Sequence, residues 1–255
     1  MTQEKKHLSE DKQLRMESSY PFKFHCYPGV PCYTQCCQDI NIVLTPYDVL
    51  RLKNGLRIPS GDFLDKYTII IPKKNLLIPL VLLKMNEPDK KCPFVSEKGC
   101  IVYNDRPWPC RMFPLTMNDD GTYSLITDNS RCLGLKEEDI NPLAEWLKEQ
   151  GVAAYDELNE YLTSLTVQLQ SQALEINNPK IQQMIIMALY NMDKFRDFVF
   201  RSSFLDRLEV EPDVIERIKE NDTELLKFAF DWIKFGLFGK KAFKVKEQSD
   251  ARGTS

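Results

Sequence analysis

The sequence predicts an α+β chain: a small, irregular, cysteine-rich domain with short antiparallel strands, followed by a helical C-terminal module. Three observations carry this expectation. All eight cysteines lie between Cys26 and Cys132, and the remainder of the 255 residues has none. Between Tyr67 and Val95, β-branched and apolar residues come in short runs broken by Lys73 to Asn75 and by Asn86 to Asp89, the pattern of short strands joined by turns. Beyond Asn141 the apolar residues recur at helical spacing instead.

Taken in order, residues 1–20 are charged and aperiodic and read as a mobile arm. In FKFHCYPGVPCYTQCCQDINIVL, Pro28, Gly29 and Pro31 force a turn between Cys26 and Cys32. Asn41 to Leu44 reads as a short strand. Thr45 then caps a helix with Pro46 at its first position and Asp48 in its first turn. Ser60 opens a second short helix by the same logic. Pro93, Pro107, Pro109 and Pro114 fix backbone dihedrals and remove donors, which suits a rigid irregular loop around Cys92, Cys100 and Cys110. Thr122 to Thr127 is one more strand before Cys132.

Asn141 with Pro142 reads as the cap and first turn of a helix that buries Val152, Tyr155, Leu158, Leu162, Leu165 and Leu169. Asn178 with Pro179, Glu211 with Pro212, and Asp222 or Thr223 open three further helices. Met184, Met187 and Met192 read as gap-filling core. Lys240, Lys241, Lys244 and Lys246 precede a polar end that reads as a solvated tail. The expected segments are therefore an arm over 1–20, a cysteine domain over 21–138, a helical module over 139–240 and a disordered tail over 241–255.

The cysteines fall into two sequence groups, Cys26, Cys32, Cys36 and Cys37, then Cys92, Cys100, Cys110 and Cys132. Thiolates crowded at one end of a chain are the ligands of zinc and iron-sulfur clusters. A disulfide framework needs an oxidising compartment, yet the first twenty residues lack the apolar core of a secretory signal. The expected location is a reducing cytoplasm. Apolar runs are too short to span a membrane, and a net charge of −3 gives no basic footprint for nucleic acid. Neither G-x-G-x-x-G nor G-x-x-x-x-G-K-[ST] occurs in a usable position. With His7 and His25 alone, an H-E-x-x-H site is excluded.

The adjacent Cys36 and Cys37 diverge in direction and suit one polynuclear cluster or two neighbouring sites. The second group contains no C-x2-C knuckle, and single cysteines on separate loops are easier to reconcile with an iron-sulfur cluster than with zinc. The cluster is therefore the favoured cofactor and zinc the alternative. Lesser candidates are His25 as a nitrogen ligand or a polar neighbour, Asp39 as a carboxylate ligand or a turn cap, and Arg106 and Arg111 as donors to sulfur, binders of an anion, or loop-tying salt bridges.

Cys92 to Pro114 reads CPFVSEKGCIVYNDRPWPCRMFP. With Cys36-Cys37 and the helix start from Thr45 to Val49, it resembles the YkgJ-type cysteine-cluster proteins, the CxxCxxCC domain. The resemblance rests on Cys92, Pro93, Phe94, Cys100, Tyr103, Arg106, Pro107, Cys110, Arg111, Phe113 and Pro114 and covers about residues 22–135. The first group departs from the family pattern, with C-x5-C-x3-C-C in place of C-x2-C-x2-C-C. The resemblance implies zinc or iron chelation, with all eight cysteines as candidate ligands. Because the domain also occurs in a flagellin lysine N-methylase group, it implies a second reading, methyl transfer to a protein lysine. A third reading is a metal-delivery scaffold whose helical module recruits a protein partner.

Overall fold

The structure, a computed structural model, describes residues 14–72, 77–171, 178–239 and 243–246. Among the described residues 51% are helical and 15% lie in short antiparallel strands, which makes the class α+β as expected. In chain order the strands are β1 (Pro21–Lys23), β2 (Thr68–Ile71), β3 (Leu80–Leu83), β4 (Val95–Ser96), β5 (Gly99–Cys100), β6 (Leu115–Met117), β7 (Tyr123–Leu125), β8 (Ile140–Pro142), β9 (Leu208–Glu209) and β10 (Lys244–Val245). The helices are α1 (Pro46–Leu56), α2 (Ser60–Tyr67), α3 (Trp108–Met112), α4 (Leu143–Gln150), α5 (Ala153–Ser171), α6 (Pro179–Tyr190), α7 (Met192–Arg201), α8 (Phe204–Arg207), α9 (Pro212–Glu220) and α10 (Asp222–Phe238).

The chain divides into two compact units, each discontinuous in sequence and cut differently from the segments read off composition. The first holds the described residues up to Cys36 together with Trp108–Ala153; the second holds Cys37–Pro107 and the described residues from Ala154 onward.

The first unit is irregular and tied by long-range pairing. β1 and β8 form a two-stranded antiparallel ladder with Phe22 opposite Asn141. β6 pairs with β7, and Met16 adds an isolated bridge to Tyr123. Its core gathers Met16, Phe22, Met112, Leu115, Leu143, Trp146, Leu147 and Val152. Residues 14–20, read as the end of a mobile arm, are instead fastened here: Met16 is buried and the Ala144 amide donates to the Ser18 carbonyl. Residues 1–13 lie outside the described residues. Asn141 does not cap a helix, because its backbone is taken by the ladder; α4 starts two residues later behind Pro142 with no side-chain cap. The proline-rich stretch is not all loop either. Pro107 and Pro109 stand at the entry of α3, where a missing N–H costs no intrahelical bond.

The second unit is mainly helical. Thr45 and Asp48 form a full capping box, each side chain satisfying the other's backbone amide, with Pro46 at the first position. Asn178 caps α6 through the amides of Lys180 and Ile181. Asn221, one residue earlier than expected, caps α10 through Thr223 and Glu224. α2 begins at Ser60, but its cap is not local: the Asp193 carboxylate of α7 accepts from both the Ser60 amide and the hydroxyl, at 2.5 and 2.7 Å. α5 buries Tyr155, Leu158, Leu165 and Leu169 as its spacing requires. Met192 is buried, while Met184 and Met187 are only partly so.

β2 and β3 make the expected hairpin, but residues 41–44 join it through a single bridge, Val43 to Leu82, and form no strand. Phe63, Phe195, Leu225, Phe230 and Ile233 are wholly buried. Lys53 is nearly buried and answers to Asp222 at 2.7 Å, which also receives Arg196. Arg196 in turn donates to the Ile218 and Lys219 carbonyls, closing the end of α9. β10 pairs with β9 within the stretch read as a tail; residues 241–242 and 247–255 lie outside the described residues.

Candidate metal centre

The structure sorts the cysteines by fold rather than by sequence group. Five belong to the first unit, Cys26, Cys32, Cys36, Cys110 and Cys132; Cys37, Cys92 and Cys100 belong to the second.

In the first unit the ladder of β1 and β8 delivers the chain into two loops that run side by side. The His25 amide donates to the Gly134 carbonyl at 3.0 Å, and a Cβ at Gly134 would stand 2.7 Å from the His25 carbonyl oxygen, so only glycine allows this approach. The His25 imidazole pairs with Asp139, and the Tyr27 hydroxyl donates to Glu137 at 3.4 Å. His25 thus serves as a tie between the two loops. One loop then winds through tight turns, Val30 to Tyr27 and Tyr33 to Val30, into a short 3-10 helix at Gln35–Cys37.

The opposite loop is set by Asp128. Its side chain accepts from the amides of Ser130 and Arg131, and its carbonyl accepts from the Cys132 amide at 2.9 Å. Bonds from the Ser130 hydroxyl and amide hold the Asp128 carboxyl below its ordinary value.

These turns bring Cys26, Cys32, Cys36 and Cys132 into mutual electrostatic range. Burial of its sulfur, then the charges of Cys36, Cys132 and Cys32, push the Cys26 thiol up to about 11, although the residue as a whole stays exposed. Cys132 is raised by burial and by Cys32 and Cys36, against the amides of Gly134 and Leu135 that favour its thiolate. The Leu133 amide donates to the Cys32 sulfur at 3.2 Å. Like charges that raise one another's pKa are what a set of thiols shows before a cation joins them.

The second unit holds a smaller set. The Cys92 amide donates to the Cys37 carbonyl at 2.8 Å, and the Asp39 amide to the Lys90 carbonyl, so the two segments run together. Cys100 lies opposite Val95 across the β4–β5 turn. Burial first, and then Cys100, raise the Cys92 thiol, while the amides of Phe94 and Val95 oppose them. Burial raises Cys100, opposed by the Val102 amide and the charge of Arg106. Arg106 donates to the Tyr103 carbonyl at 2.7 Å and lies over the Tyr103 ring at 3.8 Å. Arg111, on α3 beside Cys110 in the first unit, donates to the Gln150 carbonyl at 2.6 Å.

Backbone N–H groups are aimed at the sulfurs of Cys32 and Cys132, and such donors stabilise thiolates. As they stand, and among the described residues, no group of three or more His, Cys, Asp or Glu side chains is drawn together tightly enough to hold a metal ion. The sequence missed that Cys132 joins the first group. The available signals were the Asp-x-Ser turn at Asp128 and the glycine after Leu133.

Residues 25–133 match the model of the CxxCxxCC family, whose description reads "putative zinc- or iron-chelating domain". The stretch begins just ahead of Cys26 and ends just past Cys132, so the match spans both loops of the quartet. No curated protein and no solved structure matches the chain. Among the described residues, no helix is long and apolar enough to cross a membrane.

Proposed function

We propose that this protein binds metal through its cysteines, with Cys26, Cys32, Cys36 and Cys132 forming one four-thiolate centre. The carrying observation is that the thiols of Cys26 and Cys132 are raised by burial and by their cysteine neighbours, on loops clasped by β1 and β8. Metal would draw the sulfurs inward, exchange their protons for a cation and release those protons to solvent. Cys37, Cys92 and Cys100 make a second set, and Cys110 completes the eight candidate ligands. An iron-sulfur cluster is the favoured occupant of the quartet, because Cys26 and Cys132 come to it from separate loops, while the C-x3-C spacing of Cys32 and Cys36 is the feature that suits zinc.

Anaerobic purification followed by iron, sulfide and zinc analysis and an absorption spectrum tests this reading. Iron with matching sulfide and a visible charge-transfer band supports the cluster; zinc alone replaces it; a folded, metal-free protein that takes up neither overturns the reading. The methyl-transfer alternative is tested separately by calorimetry with S-adenosylmethionine, where heat of binding would support it and silence would count against it. Metal-exchange rates distinguish the delivery reading, since a site that surrenders metal only on unfolding does not deliver it.

A further inference from the structure

Independently of the cysteines, the β2–β3 hairpin of the second unit is apolar on both faces. Its register places Ile70 opposite Val81 and Thr68 opposite Leu83 on one face, where Val81 and Leu83 are buried. The other face carries Ile69 opposite Leu82 and Ile71 opposite Leu80, and the bridge from Val43 to Leu82 adds a fifth apolar side chain. An antiparallel sheet that turns one face to water ordinarily puts polar residues there. Here Val43, Ile69 and Ile71 are 43, 48 and 38% exposed, with Leu80 and Leu82 half-buried between them. One end of this outer face is roofed. Val43 and Leu80 line an apolar cavity of about 190 Å³ together with Leu162, Thr166 and Leu169 of α5, and none of its described lining residues is charged. The threonine hydroxyls on its wall are engaged, Thr166 with the Leu162 carbonyl at 2.8 Å and Thr45 with Asp48 at 3.0 Å.

We propose that the cavity and the bare part of the outer face form one binding site, which takes the unbranched alkyl chain of a free, single-chain amphiphile with an uncharged head. An apolar cavity of roughly 150 Å³ accommodates benzene, so the space under α5 holds the first several carbons. The rest of the chain crosses from Val43 and Leu80 to Ile71 and Ile69, about 10 Å over two strand spacings. A compact ring would fill the cavity and leave both isoleucines in water, whereas a chain covers them as well. Neither the walls nor the strip offers a charge, so the head stays in solvent and needs none. The same lack of basic residues gives no grip on an anionic bilayer, which favours a free amphiphile over a membrane lipid. Affinity comes from apolar surface removed from water on both partners.

The test compares octyl with hexyl glucoside, each below its micelle-forming concentration, by ligand-observed NMR on the full chain as purified, with glucose as the control. Octyl glucoside is expected to bind about tenfold more tightly, at about three- to fourfold per buried methylene, and glucose not at all. Ile71→Ser should bring octyl down towards hexyl glucoside and leave hexyl unchanged, because the shorter chain ends within the cavity. Thr166→Phe, which fills the cavity, should abolish both. The proposal is overturned by no binding of octyl glucoside, by equal binding of the two chain lengths, by binding of glucose, or by an Ile71→Ser protein that keeps the full preference. Flotation with phosphatidylcholine vesicles should leave the protein unbound; capture by them would assign the site to a bilayer and overturn the free amphiphile. Circular dichroism checks each variant. Should Thr166→Phe fail to fold, Ile71→Ser, at an exposed position, decides alone.

Discussion

In the second unit, three helices begin where a local capping residue stands: Thr45 before α1, Asn178 before α6, Asn221 before α10. In the first unit, the corresponding signal at Asn141 is overridden, and that residue pairs with Phe22 from the far end of the unit's sequence. One region is built from local instructions stabilised by a large apolar core, and the other from distant pairings around a small one. Small domains with short elements bury too little surface to hold themselves firmly. The region poorest in core is the one that carries Cys26, Cys32, Cys36 and Cys132, so a bound metal would supply folding free energy where it is most needed.

The largest effect that can break this comparison comes from the quartet. Cys132→Ser should remove most of the metal held with Cys26, Cys32 and Cys36, and lower stability of the first unit by several kcal/mol (about 3 or more). Cys110→Ser should cost far less metal, because the raised thiols of the quartet do not owe their shift to it. Metal analysis with chemical denaturation checks both; equal loss from the two variants would merge Cys110 into the same centre.

Next come matched core truncations. Phe195→Ala in the second unit and Leu143→Ala in the first, both at wholly buried sites, should cost about 3–5 and 2–5 kcal/mol respectively. Chelator should deepen the Leu143→Ala loss and leave the Phe195→Ala loss unchanged. An equal response to chelator would show that metal does not act selectively on the first unit.

A smaller effect is expected at Lys53→Met, about 2 kcal/mol, because Asp222 keeps Arg196 as a partner. Burial opposes ionisation of Asp222, but the bonds and charges of Lys53 and Arg196 outweigh it and hold the carboxyl below its ordinary value. A carboxyl depressed on folding contributes stability above its unfolded pKa, lost as pH falls through the folded one. The wild type should therefore lose stability below about pH 4, and Lys53→Met should lose less of it over that window. Denaturation midpoints at pH 6 and pH 3 read this directly. The smallest change is Thr45→Ala, about 1 kcal/mol, from loss of the capping box. A greater loss there would mean that residues 42–45 depend on the cap to reach β3.

These contrasts also explain what could be read from the sequence. The α+β class, the helix starts with Asx or Thr caps, the β2–β3 hairpin and the buried face of α5 follow from signals within a few residues. The start of α2 does not, since its cap is Asp193, 133 positions away. The entry into α4 fails for the opposite reason, because a valid local signal loses to a ladder. All eight cysteines were legible as candidates, whereas their sorting was not. The Asp-x-Ser motif at Asp128 and Gly134 mark local turns, but nothing near Cys132 in sequence names Cys32 or His25 as the distant residues those turns approach.

The clasp of β1 and β8 has one more consequence, which is a matter of polymer statistics. His25 and Asp139 are 114 positions apart, and closing so long a loop costs an unordered chain about 4 kcal/mol of entropy. Here the backbone ladder has already closed it before any cation arrives. To an incoming metal, Cys26 and Cys132 therefore present a high effective concentration, and capture becomes a local encounter instead of a search by two remote ends of the chain.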